Sequence, residues 1–298
     1  GSHVCERLLL GGAEVIAFDD FSSGCTRIEG ATVIEGDVRN FKEVLAAMSD
    51  CTHVVHLAAL ASVPASFANP SQSESVNLQG TLNVIEASRQ VGVKRIVFSS
   101  TAAIYGDATD QPVTESTTAN CQSPYAEDKL AAEVAVLNSG MDAISLRYFN
   151  VHGPRQDPKG AYAAVIPSFI QALMEHRSPT IFGTGEATRD FVSVMDVAEA
   201  NMLALQTEDK SALGQVYNVA SGSSISVMEL FVTLRNLLGE KEPTIGEIEP
   251  TLESPREGDI LHSSASIEKA RTLLGFNPET NPHRALAATV EAYWDQRE

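Results

Sequence analysis

The stretch GSHVCERLLLGGAEVIAFDD, residues 1–20, decides the fold class of this chain. Its first half has the apolar spacing of a short helix, and Gly11 and Gly12 follow where a helix is expected to stop. The apolar run VIAF then predicts a strand that closes on Asp19. A helix that leads directly into such a strand is typical of one part of a strand–helix–strand unit.

Short apolar runs with helical stretches between them recur along the first half of the chain. They lack polar alternation, so we expect strands that are covered on both faces. Alternation of strand and helix predicts right-handed crossovers and an α/β fold with a doubly wound parallel, Rossmann-like sheet. The runs are EVIAF (14–18), ATVIEG (31–36), HVVHLAA (53–59), RIVFSS (95–100) and AISLRYF (143–149).

Composition excludes several classes of function. The 298 residues carry a formal net charge of −18 with the acidic residues dispersed, so we expect no nucleic-acid partner, which requires a basic face. No apolar run reaches the length of a membrane span, so we expect no membrane partner. Cys5, Cys25, Cys51 and Cys121 lack metal-ligand spacing, which predicts reduced thiols, no metal site and a cytoplasmic protein.

A strand and a glycine loop placed ahead of Gly1 would make the opening residues a dinucleotide-binding unit. Gly1 would then be the last glycine of the loop, and Asp19 would bind the adenosine ribose hydroxyls. A carboxylate there favours NAD, because it would repel the extra phosphate of NADP. Alternatively, GSH is a remnant of an expression vector and Asp19 begins a turn; these twenty residues leave both interpretations open.

Tyr125 and Lys129 in SPYAEDKLAAE (123–133) lie four residues apart, on one face of a predicted helix. An ammonium beside a phenol lowers the pKa of the phenol, so that Tyr125 can take a proton from an alcohol. Thr101, in VFSSTAAIYGD (97–107), stands at the end of a predicted central strand, where open parallel sheets bind ligands. It is placed to hydrogen-bond the same oxygen, although a Tyr-x-x-x-Lys pair alone is more often a surface pair.

Eight stretches then follow one another across nearly the whole chain: FDDFSSG, EGDV, HLAALASVP, SSTAAIYGD, SPYAEDK, LRYFNVHGPRQDPKGAYAAVIP, GTGEATRDFVSVMDVAEA and REGD. In them the chain resembles extended short-chain dehydrogenases/reductases of the NAD-dependent sugar-nucleotide epimerase/dehydratase family. Relatives carry a first strand with TGGxGFIGSH, and this chain starts at the last glycine of that motif. We therefore expect about a dozen further residues ahead of Gly1 in the natural protein, and weak NAD binding without them.

The resemblance also implies the domain organisation and the partners. We expect an NAD-binding domain at residues 1–152 plus about 186–220, and a smaller mixed α/β sugar-nucleotide-binding lobe at 153–185 plus 221–298. The implied partners are NAD, a UDP-sugar and a second copy of the chain, which would form a homodimer through a four-helix contact that includes the helix of Tyr125.

Three sets of site residues are implied by the resemblance. The catalytic set is Thr101, Tyr125 and Lys129. The NAD-binding set is Gly1, Asp19, Asp37, Val38, Leu57, Ala58, Ala59, Asn77, Tyr125 and Lys129. The substrate-binding set is Asn150 and Val165 at the sugar nucleotide, Arg189 and Arg256 at the diphosphate, Asp259 at the uridine ribose, and Ser263 beside the C2 substituent of the sugar. A salt bridge to Asp190 is the alternative role for Arg189.

The residues after Thr101 indicate the reaction. Dehydratases of the family carry Asp-Glu there, whereas this chain has Ala102 and Ala103, which cannot move protons. That favours a 4-epimerase acting on a UDP-hexose, and the small Ser263 leaves room for an acetamido group, so UDP-GlcNAc and UDP-glucose are both open. The alternatives are a dehydratase or reductase on the same fold and, below them, a non-catalytic dinucleotide sensor.

Overall fold

The computed structural model describes residues 1–24, 28–157, 164–255, 260–279 and 281–297. The strands are β1 (Ile16–Asp19), β2 (Thr32–Glu35), β3 (His53–His56), β4 (Arg95–Thr101), β5 (Asp142–Tyr148), β6 (Asn150–His152), β7 (Thr180–Phe182), β8 (Thr188–Ser193), β9 (Gln215–Val219), β10 (Ser224–Ser226), β11 (Thr251–Glu253) and β12 (His262–Ser263). The helices are α1 (Ser2–Leu10), α2 (Phe41–Ala47), α3 (Val63–Ala68), α4 (Pro70–Glu74), α5 (Gly80–Val91), α6 (Pro124–Leu137), α7 (Val165–Met174), α8 (Val194–Gln206), α9 (Val227–Gly239), α10 (Glu268–Leu274) and α11 (Pro282–Asp295).

Parallel strands form the larger core. Among the described residues they make two separate hydrogen-bonded sheets, β1–β2 and the four-stranded β3–β4–β5–β9. Ile96 and Phe98 of β4 pack with residues of α5 and α6 on one face, while Val97 packs with residues of α8 on the other. All three side chains are fully buried. The sheet is therefore covered on both faces, and the predicted doubly wound fold is confirmed.

A second core lies between α7, α9 and α11, where Ile170, Leu173, Phe231, Leu234 and Leu286 are buried together. Short strands flank it: β8 pairs with β6 and β12 in parallel and with β10 antiparallel, and β7 pairs with β11. This is the mixed α/β lobe expected from the sequence. Because β8 pairs with strands of both predicted domains, their boundaries stay a prediction.

Two other expectations concern the membrane and the cysteines. Within the described ranges, no helix combines the length and the apolar character needed to cross a bilayer. Cys5, Cys51 and Cys121 are free thiols. Cys25 lies outside the described residues.

The turn after β4 fixes the position of Thr101. Thr101 Oγ1 accepts a hydrogen bond of 3.1 Å from the backbone N–H of Ala103 and so caps the 3₁₀ turn Ala102–Tyr105. Gly106 ends that turn with φ +57°. A Cβ there would lie 2.1 Å from the backbone oxygen of Asn120, so both conformation and space require glycine.

We expect Gly106→Ala to lower the free energy of unfolding by at least about 2 kcal/mol more than Gly140→Ala does. Gly140 is the matched control, because it also has a positive φ but open space around its Cβ position. Its substitution should cost about 1 kcal/mol from backbone strain alone. Urea unfolding followed by circular dichroism measures both, and equal losses would contradict the close approach at Gly106.

Candidate active site

Helix α6 carries the predicted catalytic pair into the carboxyl end of the sheet. Ser123 caps the helix by accepting a hydrogen bond from the N–H of Ala126, and Pro124 occupies the first turn. Tyr125 follows in that turn, and the side chain of Thr101 lies close enough to the Tyr125 hydroxyl to lower the pKa of the phenol. The structure thus brings the last residue of β4 and the first turn of α6 together at one oxygen-binding position.

Lys129 lies one helical turn below Tyr125 and is only 1% exposed. Its Nζ is 4.2 Å from the centre of the Phe98 ring, a cation–π contact. Burial lowers the pKa of Lys129 to about 7, although the nearby Glu133 carboxylate acts to raise it. The buried His56 imidazole has its pKa lowered to about 3, by burial first and by the charge of Lys129 second. The site therefore holds an amine that changes charge near neutral pH beside a neutral imidazole.

The phenol of Tyr125 has a pKa above its ordinary value. Burial raises this pKa, and the nearby side chain of Thr101 opposes the rise. The direction is opposite to the expectation from the sequence, because spacing along a helix reveals the ammonium neighbour but not the desolvation that outweighs it. A phenolate at Tyr125 consequently needs positive charge close by, and Lys129 below pH 7 supplies one.

A buried ion pair beneath Lys129 was not predicted. Glu133, which is 2% exposed, continues the stripe of Tyr125 and Lys129 along α6. Its carboxylate accepts hydrogen bonds of 2.6 and 3.1 Å from Arg147 of β5 and one of 2.9 Å from the hydroxyl of Ser145. The signal was present in the sequence, since Arg147 is a lone charge inside an apolar strand.

Arg147 links this pair to the turn that holds Thr101. Its guanidinium carbon lies 4.8 Å from the centre of the Tyr105 ring, and the Tyr105 hydroxyl donates a 2.6 Å hydrogen bond to Asn218 of β9. Tyr105 is the last residue of the 3₁₀ turn that Thr101 caps. One buried network therefore joins α6, β5, β9 and the turn after β4, and it sets the spacing between Thr101 and Tyr125.

The predicted NAD-binding residues at the sheet edge differ in exposure to solvent. Asp19 ends β1, is exposed, and accepts a 2.8 Å hydrogen bond from the N–H of Phe21. Leu57, Ala58 and Ala59 follow β3 and are partly exposed. Asn77, in contrast, is 1% exposed and hydrogen-bonds the backbone of this loop from the interior of the protein. Its amide accepts from the N–H of Leu60 at 2.8 Å and donates to the oxygen of the same residue at 3.3 Å.

Three other members of that set have contacts within the protein. The Asp37 carboxylate is hydrogen-bonded to the Arg39 guanidinium, which lowers the pKa of the acid. Val38 is buried in the core with Val44 and Val84, so its side chain serves packing. A Cβ at Gly1 would meet no described atom within 4 Å, so no contact among the described residues requires glycine there. Their contacts with NAD stay predictions.

The predicted substrate residues that are described lie around β8. Arg189 and Ser263 are directly paired across β8 and β12, and Asn150 donates a 3.0 Å hydrogen bond to the backbone oxygen of Asp190. Val165 is the first residue of α7. The Asp190 carboxylate faces the interior and accepts from Ser221 and Gly222, so the alternative role for Arg189 gains no support. Arg256 and Asp259 lie outside the described residues.

Comparison with known proteins agrees with this geometry. The model of the NAD dependent epimerase/dehydratase family matches residues 1–220. The chain is 35% identical to the UDP-glucose 4-epimerase of Mycolicibacterium smegmatis, over 98% of this chain and 95% of that protein.

Two solved structures are similar along the whole chain. The crystal structure of UDP-glucose 4-epimerase from Thermotoga maritima with UDP-glucose has a TM-score of 0.92 and 34% identity, covering 100% of this chain and 96% of that one. The UDP-N-acetylglucosamine 4-epimerase from Methanobrevibacter ruminantium, in complex with UDP-N-acetylmuramic acid, has a TM-score of 0.91 and 34% identity, covering 99% and 95%. The resemblance seen in the sequence, its Rossmann-like fold and its cofactor are confirmed: the chain belongs to the NAD-dependent epimerase/dehydratase family and is an NAD-dependent enzyme of the sugar-nucleotide epimerase type.

Proposed function

We propose that the chain interconverts a UDP-hexose and its C4 epimer through a 4-keto sugar. The observation that carries this proposal is that Thr101 and Tyr125 are neighbours above the buried Lys129, with Ala102 and Ala103 directly after Thr101. The phenol of Tyr125 and the hydroxyl of Thr101 can both hydrogen-bond the alcohol group of a substrate. The two alanines, in contrast, offer no acid or base for eliminating water from a neighbouring carbon.

The residues present suit NAD by the chemistry of their donor and acceptor groups. The exposed carboxylate of Asp19 can accept from ribose hydroxyls, and the loop after β3 is held in place through Leu60 by Asn77. Lys129 offers ammonium donors at the carboxyl end of the sheet, where ligands of such folds bind. When bound, NAD would supply the hydride acceptor and donor that the reaction requires.

The protein's own side chains transfer the proton and orient the sugar. Thr101 holds the C4 oxygen, and Tyr125 as phenolate takes the proton from the C4 hydroxyl. Protonated Lys129 stabilises that phenolate, a state favoured at or below the pKa of about 7 that burial gives the amine. The 4-keto sugar then turns while Arg189 holds its diphosphate, so that the opposite face of C4 is presented, and Tyr125 returns the proton to the C4 oxygen.

Tyr125→Phe should reduce turnover by about 10³-fold, because it removes the group that carries the proton. Tyr217→Phe is the matched control, since that hydroxyl is also buried but donates to the backbone oxygen of Ala212. The measurement is sugar analysis after incubation with UDP-GlcNAc or UDP-glucose and NAD. Near-wild-type turnover by the Tyr125→Phe variant would refute Tyr125 as the base, and stoichiometric NADH or loss of water would favour the reductase or dehydratase alternative.

The choice of sugar depends on the space beside Ser263. The similar structures include enzymes named for UDP-glucose and for UDP-N-acetylglucosamine, so the comparisons support both substrates. Ser263 pairs with Arg189 in register, and neighbours in register project to the same face of a sheet. A small side chain next to the arginine that grips the diphosphate supports room for an acetamido group.

Ser263→Tyr should lower turnover of UDP-GlcNAc at least about 10-fold more than turnover of UDP-glucose, because the added ring would fill the space for the acetamido group and small size differences in a pocket typically change rates by about 10-fold or more. Ser263→Ala controls for loss of the hydroxyl without added bulk and should leave the ratio unchanged. Both are read as kcat/KM for the two sugars. Equal losses on both sugars in the Ser263→Tyr variant would contradict the role of Ser263 in leaving room for the acetamido group.

A homodimer is supported by exposed apolar side chains on three neighbouring helices. Phe67 of α3, Leu82 of α5 and Val134 of α6 are 59%, 39% and 50% exposed, and α6 contacts both of the other helices. Val134 lies on the face of α6 turned away from the buried Lys129 and Glu133. Apolar residues gathered on adjoining helices are typical of an interface.

Val134→Glu should shift the protein from dimer to monomer at micromolar concentration, since it places a charge within the apolar contact. Met195→Glu on α8 is the control, because Met195 is equally exposed, at 54%, but lies on another helix. Sedimentation velocity distinguishes the two states. A Val134→Glu variant that sediments like the wild type would refute this interface.

A further inference from the structure

The segment after β6, residues 153–157, lies between α1 and α11 and is hydrogen-bonded to both helices. We name it the bridge segment. It begins directly after Asn150–His152, where the sequence predicts a sugar-nucleotide contact at Asn150. On its other side, α1 opens at Gly1, a member of the predicted NAD-binding set. The bridge segment therefore connects the strand that carries one predicted ligand site to the helix that carries a residue of the other.

Arg155 makes the contact with α1. Its guanidinium donates two parallel hydrogen bonds to the Glu6 carboxylate, of 2.7 Å to Oε1 and 2.5 Å to Oε2. The partners are 149 residues apart in sequence, and their side chains are 26% and 40% exposed. A bidentate pair fixes the orientation of both groups as well as their distance, which a single contact between flexible side chains does not.

His3 adds a second contact between the same two elements. Its Nε2 donates a 3.0 Å hydrogen bond to the backbone oxygen of Pro154, and its Nδ1 accepts one of 2.7 Å from Arg155. Burial lowers the pKa of His3, which favours the neutral ring that this pattern needs. Arg155 also has φ +66°, a conformation that costs a non-glycine residue about 1 kcal/mol or more, so the contacts hold a backbone that would otherwise relax.

The opposite side of the segment is tied to α11. His152 is hydrogen-bonded through Nδ1 to Thr289 Oγ1 at 2.9 Å, and the Tyr293 hydroxyl donates to the backbone oxygen of Gln156. Thr289 and Tyr293 are four residues apart and so share one face of the helix. With α11 fixed in the second core, the bridge segment is anchored on one side and attached to α1 on the other.

We propose that Arg155 is a positioning residue that couples the two ligand sites, so that NAD bound next to α1 strengthens the binding of the UDP moiety, and the reverse. Binding of either ligand would order the contacts of the bridge segment with α1 and α11. The other ligand would then bind to a protein in which its own site is already ordered. Thermodynamic linkage requires the effect to be reciprocal. The inference rests on the proposed function, since it takes UDP and NAD as the two ligands.

The test is calorimetric titration of UDP into the protein without NAD and with saturating NAD. For the wild type we expect about 10-fold tighter UDP binding in the presence of NAD, a typical coupling between two sites. In Arg155→Met the ratio should fall below about 2, while the affinity without NAD changes little. A merely structural role would instead weaken UDP binding equally in both states.

Arg7→Met is the matched control. Arg7 also lies on α1 and pairs with a glutamate, Glu199, but that partner belongs to α8 rather than to the bridge segment. This variant should keep the wild-type ratio. Arg155→Lys keeps the charge and loses the bidentate geometry, so it should lower the ratio in part, and a thermal melt of each variant checks that it is folded.

The outcomes separate the inference from the function on which it rests. Absence of UDP binding to the wild type would overturn the proposed function and the coupling with it. Binding of UDP with a ratio near 1 in the wild type, or a ratio unchanged in Arg155→Met, would overturn the coupling alone. A ratio lost in Arg155→Met and kept in Arg7→Met supports it.

Discussion

The buried pair of Glu133 and Arg147 is the interaction on which the geometry of the site depends. It joins the helix of Tyr125 and Lys129 to the central strand β5, and through Tyr105 it reaches the turn capped by Thr101. A buried ion pair is weak evidence for stability, because desolvation offsets much of its attraction. Removing one partner is far more damaging, since the other is left as an uncompensated charge. Its role here is to fix how three elements meet.

Lys129 shows the energetic consequence of placing the catalytic groups in the interior. Its pKa is about 7 in the folded protein against an ordinary 10.5, so the unfolded chain binds more protons between these values. Stability from this group therefore rises as the pH increases from about 7 towards 10.5, and the full penalty applies below pH 7. The proposed reaction uses the charged form of Lys129, which low pH favours, whereas the stability of the fold rises with pH. The chemistry and the stability therefore favour opposite ends of this pH range.

Local patterns in the sequence predict the elements and the catalytic trio, because spacing on a helix and position at a strand end are local properties. The carboxyl end of β4 and the face of α6 meet as expected, and Thr101 contacts Tyr125. The alternation of side chains along β8 also predicts that Arg189 and Asp190 face opposite ways, which argues against a salt bridge between them, the alternative role for Arg189. The direction of the Tyr125 pKa could not be predicted in this way, since burial depends on the whole fold. The same holds for Arg155 and Glu6, which only the packing of the bridge segment against α1 brings together.

The most direct test of the central claim is the fate of the hydrogen at C4. Incubation of UDP-GlcNAc or UDP-glucose with the protein and NAD in D₂O, followed by NMR of the sugar, follows that hydrogen through the reaction. If Tyr125 moves only the hydroxyl proton and the hydride returns to the carbon it left, the C4 epimer forms with no deuterium on carbon. Deuterium on the sugar carbons, or a product that has lost water, would contradict the account.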